Sequence, residues 1–137
     1  MRKYRLNTRI DTLSLKELRD VCGFGIGFCS VEIGNNNRHS SPISYSIKTT
    51  KSKKKTLGEY CFETNKIIIY RHNMITLGDF IKVFIHEYTH YLQPIKTKYH
   101  KMLDECGYEN HPHEIEAENN ASMYYDKFMK EYRNSLK

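Results

Sequence analysis

The chain is predicted to fold as an α+β domain, on three observations. Two segments open with helix-capping signals, the second followed by apolar residues at helical spacing, a central stretch alternates apolar and polar residues, and a C-terminal segment repeats small and aromatic residues three and four apart. A length of 137 residues is enough for one core and too short for two of ordinary size, so one domain over 1–137 is expected, with a basic part at 1–55 and a core at about 57–130.

The first helix starts at Ser14-Leu15-Lys16-Glu17, where a hydroxyl and a carboxylate three residues apart can satisfy the N–H groups left open at a helix start. It is expected over residues 15–22 and to stop at Gly23-Phe24-Gly25-Ile26-Gly27, read as a flexible or bulged connection. These glycines follow a helix and open none, which argues against a dinucleotide-binding turn. Turn signals at Asn35-Asn36-Asn37 and Ser40-Ser41-Pro42 precede a half-buried strand in which Ile43, Tyr45 and Ile47 alternate with polar residues. Further strands are expected at about 57–62 and at 66–70, where Ile67-Ile68-Ile69 is β-branched, joined by a hairpin turn at Glu63-Thr64-Asn65. The result would be a small, mainly antiparallel sheet.

Thr76-Leu77-Gly78-Asp79 signals a second helix over 77–93, ended by Pro94, with Phe80, Val83, Phe84, Tyr88 and Tyr91 marking a buried flank. A loop of about twenty residues leads to Pro112 and a last long helix over 113–132.

Composition narrows the class. The 39% hydrophobic and 28% charged residues are those of a globular protein, not of a fibre or a disordered tail. No apolar run is long enough to span a bilayer and no secretory signal is read at the N-terminus, so no membrane contact and a cytoplasmic location, or a host cytoplasm or virion, are expected. Cys22, Cys29, Cys61 and Cys106 form no C-x-x-C pair and are read as free packing thiols. Residues 1–55 hold twelve Lys/Arg against four Asp/Glu, and residues 56–137 ten against twelve. The basic segment at 48–55, densest at Lys51-Ser52-Lys53-Lys54-Lys55, suits a contact with nucleic acid or another acidic partner, or a solvated loop.

The chemistry is concentrated at His86-Glu87-Tyr88-Thr89-His90, an H-E-x-x-H pattern inside the second helix. Four residues are slightly more than one helical turn, so both imidazoles leave the same face and can grip one ion, for which zinc suits nitrogen donors. Glu87 is rotated off that axis and is placed to act as general base toward a water activated at the metal. A catalytic zinc takes three protein ligands, so one more is needed downstream. Glu114 shares a helical face with Ala117, Ala121, Tyr124 and Phe128, and a carboxylate on a buried stripe must be paired or bound to metal. Glu114 is therefore the expected third ligand, with Glu116, His111 and His113 as alternatives. Glu116 points about 160° off the stripe at 100° per residue. Glu118, one turn after Glu114, could orient a ligand histidine.

These residues carry a resemblance. H-E-x-x-H-Y-x-Q at 86–93, Tyr108 and Pro112-His113-Glu114-Ile115-Glu116-Ala117 are similar to small gluzincin metallopeptidases of bacterial, phage and viral origin, distantly ImmA/IrrE-like, over about residues 57–125. The chain departs from the ImmA/IrrE pattern at Glu118, Asn120 and Ala121. Gln93 and Lys96 stand where a metzincin needs glycine and histidine. The resemblance implies a zincin fold, with an edge strand beside the cleft that pairs with extended peptide, His86, His90 and Glu114 as zinc ligands, and Glu87 as base. The expected activity is zinc-dependent hydrolysis of peptide bonds in a peptide or protein substrate, with Tyr108, His111 or His113 sharing the oxyanion charge. Two alternatives differ in class: a nucleic-acid-associated SprT-like protease, whose third ligand is usually histidine, and a non-catalytic metal-binding interaction module.

Overall fold

A computed structural model describes residues 4–36, 42–49, 55–93 and 111–137. The fold is α+β, with three helices and a three-stranded sheet among these residues: α1 (Leu15–Glu32), β1 (Ser44–Lys48), β2 (Gly58–Cys61), β3 (Lys66–Tyr70), α2 (Leu77–Leu92) and α3 (Pro112–Ser135). No helix among them is long and apolar enough to cross a membrane.

Both capping boxes form. Ser14 accepts from the Glu17 N–H and Glu17 from the Ser14 N–H at the start of α1, and Thr76 and Asp79 do the same for α2. The first helix does not stop at residue 22, however, but continues through all three glycines to Glu32. The reason is a contact between helices. A Cβ on Gly25 would lie 2.6 Å from the Phe84 ring, so the missing side chain lets α1 close onto α2, and Cys22, Phe28 and Cys29 are buried beyond it. Packing that the glycine makes possible outweighs its weak helix propensity, a cost of about 1 kcal/mol.

The sheet is mixed, with order β1-β3-β2, which corrects the mainly antiparallel expectation. β2 and β3 form the anticipated antiparallel hairpin, while β1 runs parallel to β3 with Tyr45 opposite Ile67 and Ile47 opposite Ile69. Alternation of apolar residues fixes which face of a strand is buried but not the direction of its neighbour. Asn65 closes the hairpin at φ 51°, a left-handed conformation that asparagine tolerates, and its Oδ1 accepts from the Tyr60 hydroxyl at 2.6 Å. Central β3 turns Ile67 and Ile69, both fully buried, toward the helices.

α2 is the hub, packed against α1, α3, β2 and β3. Phe80, Ile81, Phe84, Ile85 and Tyr88 are fully buried, each removal from water worth about 2 kcal/mol. Before its last residue, Leu92, only the line Asp79, Lys82, His86 and His90 is less than buried. The helix is tied at both ends. At the start, Leu77 and Gly78 donate to the carbonyls of Thr8 and Leu6 at 2.8 Å, so residues 6–8 satisfy N–H groups that a helix cannot pair internally. At the end, Asn36 Nδ2 donates to the Tyr91 carbonyl at 2.8 Å, and the hydroxyls of Tyr88 and Tyr91 donate to the carbonyls of Gly34 and Asn36. One buried cluster runs from Ile10 to Tyr132, so the N-terminal segment shares its core with the rest. Cys22, Cys29 and Cys61 are free thiols, whereas Cys106, the lysines at 51, 53 and 54, and most of the loop after Pro94 lie outside the described residues. Lys48 and Lys55, at the ends of the basic segment, are exposed.

The α1 glycines give a test with opposite signs. Gly27 has open space where a Cβ would go, so Gly27→Ala should raise stability by about 0.5–1 kcal/mol through helix propensity. Gly25→Ala gains the same propensity but must overpack against a buried ring, a cost of about 1–3 kcal/mol, and should lower stability. Urea unfolding of the two variants measures both.

Candidate metal centre

The unsealed line of α2 carries the two histidines of the motif. Spaced four apart, their rings stack edge-on with centroids 4.9 Å apart, each with 14% of its side chain exposed. The metal-binding atoms of His86, Glu87 and His90 lie within 4.8 Å of one another, and this group could hold a metal ion.

α3 supplies a carboxylate from its first turn. His111 caps this helix, its Nδ1 accepting from the His113 N–H at 3.0 Å, and Pro112 follows where no N–H is missed. Glu114 then projects back toward α2, near the positive end of its own helix. Its Oε1 lies 3.1 Å from His86 Nε2 and its Oε2 3.1 Å from His90 Nε2. Fully buried Ala117, with Ala121 also buried, lets the helices come this close, and Phe128 completes the anticipated stripe. Glu116 is exposed and accepts from Gln93 Nε2 at 2.7 Å, at the end of α2. Glu118 reaches His86 Nδ1 at 2.7 Å. Of the alternative third ligands, His111 has Nδ1 engaged in the cap, and His113 offers its carbonyl to Gln93. Tyr108 lies outside the described residues.

The hydrogen-bond inventory tests whether these residues suit a cation. His86 Nδ1 faces the Glu118 carboxylate, and His90 Nδ1 faces Gln93 Oε1 at 2.6 Å. Both partners are acceptors that an Nδ1–H would satisfy, and a neutral imidazole has one hydrogen to give. Both Nε2 atoms face Glu114, which is also an acceptor. On one side or the other of each neutral ring a lone pair then meets a lone pair, unless a further proton, on the ring or on Glu114, or a metal ion lies there. Ligand atoms about 2.05 Å from a tetrahedral ion stand about 3.3 Å apart, close to the spacing of Glu114 from both nitrogens. Glu87 Oε2 is farther from His86 Nε2, at 4.0 Å.

Electrostatics follow the same crowding. Burial pushes the Glu87 carboxyl up to about 7, with His90 and His86 pulling against it. Burial works to lower the imidazole values of His86 and His90, but the Glu114 hydrogen bonds and the charge of Glu87 override it and hold both above the ordinary value. Beside His86 and Glu87 opens a cleft of about 340 Å³, bounded by Leu57 and Gly58, by Lys82 and Val83, and by Glu118 and Ser122. A Cβ on Gly58 would lie 2.5 Å from Val83 Cγ1 and 3.5 Å from Glu87 Cγ, so β2 presses directly on the turn that carries Glu87. Gln93 is the participant that sequence reasoning missed. Its place three residues after His90 was visible, but its α3 partners lie 20 and 23 residues away.

Comparison with protein-family models, with curated proteins and with solved structures returns no match.

Two outcomes are expected. Purified protein should bind about one divalent ion per chain, and His90→Ala and Glu114→Ala should abolish binding while Glu116→Ala retains it, as read by metal analysis after dialysis. In metal-free protein, both histidines and Glu87 bind protons more tightly folded than unfolded, so their contribution to stability is full at acid pH. It should be lost as pH rises, from about 4.5 through about 7 for Glu87 and beyond the ordinary imidazole value for the histidines. Thermal melts with a chelator should therefore fall across this window, and saturating zinc should flatten the fall by replacing the protons.

Proposed function

We propose that the protein is a zincin-like peptidase that hydrolyses peptide bonds with zinc held by His86, His90 and Glu114. The observation that carries this reading is the convergence of those three side chains, with Glu87 next to the first of them at the edge of an open cleft. An ion with such a donor set supplies Lewis-acid polarisation of a carbonyl and brings the pKa of water down toward neutrality.

The chain's own residues account for the rest. Glu87, whose proton affinity burial raises and the charge of a bound ion would lower, accepts the proton of the attacking water on its carboxylate and passes it to the leaving amine. Nδ1 contacts to Glu118 and Gln93 keep both imidazoles facing inward. β3 has a neighbour on each side, so strand addition along it is ruled out. β2 is an outer strand of the sheet and borders the cleft through Gly58, and an extended substrate would pair along it. A third histidine ligand, as in an SprT-like protease, does not join the cluster among the described residues.

The test is cleavage of denatured protein substrates by zinc-loaded enzyme. Glu87→Gln should keep its metal and lose activity by about 10²–10⁴-fold. Undiminished hydrolysis by that variant would refute the mechanism, and wild-type protein that holds zinc but cleaves nothing would point to a non-catalytic metal-binding module.

A further inference from the structure

Gln93 ends α2, yet its side chain is buried and, among the described residues, makes three hydrogen bonds that link His90 to the first turn of α3. Nε2 donates to the His113 carbonyl at 2.8 Å and to Glu116 Oε1 at 2.7 Å. Two acceptors at one end of the amide identify it as the NH₂ end, so the other end is the oxygen, which receives the His90 Nδ1–H at 2.6 Å. One side chain thus sets the ring orientation and tautomer of His90 and holds the α3 backbone one residue before Glu114. We propose that Gln93 is a positioning residue, a clasp that turns His90 Nε2 toward Glu114 and fixes the distance between the two helices that carry the ligands.

This inference rests on the metal-site reading above. The amide is suited to the task because it offers a donor and an acceptor together. A carboxylate could receive the imidazole N–H but would face the His113 carbonyl and Glu116 with like polarity, and an apolar side chain could do neither. His86 is held differently, by Glu118, whose side chain is 71% exposed, so the buried and permanently oriented contact belongs to His90.

The experiment compares Gln93→Met, similar in length without hydrogen bonds, with Asn120→Ala. Asn120 also bridges α2 and α3, Nδ2 donating to Thr89 Oγ1 at 3.2 Å, but touches no ligand. Zinc affinity by competition with a chromophoric chelator should fall about 10–100-fold in Gln93→Met and stay within about twofold in Asn120→Ala, even if both melt earlier. The visible spectrum of the cobalt-loaded protein should shift only in Gln93→Met. Imidazole ¹⁵N shifts of metal-free protein at alkaline pH, where Gln93 and Glu114 compete for the one hydrogen of neutral His90, should show a larger share of the Nδ1–H tautomer in wild type than in Gln93→Met. Unchanged affinity and spectrum in Gln93→Met, or equal losses in both variants, would overturn the role of Gln93. A wild-type chain that binds no zinc but loses Nδ1–H tautomer in Gln93→Met would overturn the metal reading and leave the clasp standing, and equal tautomer populations in the two proteins would remove the clasp.

Discussion

Everything at this site follows from a shortage of positive charge. Two imidazoles each have an oxygen acceptor on both nitrogens, and Glu114 alone supplies two of the four oxygens. Neutral rings have one hydrogen apiece, so the cluster is satisfied only by additional protons or by a cation. Such an assembly, partly buried between helices, would repel itself apart in an unsupported chain. The fold must therefore be stiff enough to hold like-natured atoms together, and the support of α2 explains how.

That support is distributed along the whole helix. Its start is pinned by the carbonyls of Leu6 and Thr8, its end by Asn36, and its flanks by the sheet, α1 and α3. What escapes burial is a narrow line on which both histidines lie. The apolar investment of the small domain is thus concentrated in the element that presents the donors, and the N-terminal segment contributes to it as fully as the C-terminal half does.

Local chemistry was legible in the sequence wherever the cause is local. Ser14 and Thr76 announce their helices because a cap and its partner are three residues apart, β3 is announced by its β-branched run, and the facing of His86 and His90 follows from helical geometry alone. Glu114 was found because a charge on a buried stripe needs a reason. The misreadings share the opposite property. Gly25 reads as a helix breaker until Phe84 stands against it, the direction of β1 depends on a partner about twenty residues onward, and Gln93 is silent until α3 closes over it.

Gly58 has a consequence of its own. Because β2 begins with a residue that has no side chain, its backbone rests on Val83 and the stem of Glu87, walling off one flank of that carboxylate. The proton affinity of Glu87 is then set less by its own sequence neighbours than by how tightly a strand edge seals a helix turn. A chain drawn along β2 would thicken that seal, drying the carboxylate further, so occupancy of the cleft and basicity of the group within it would rise together.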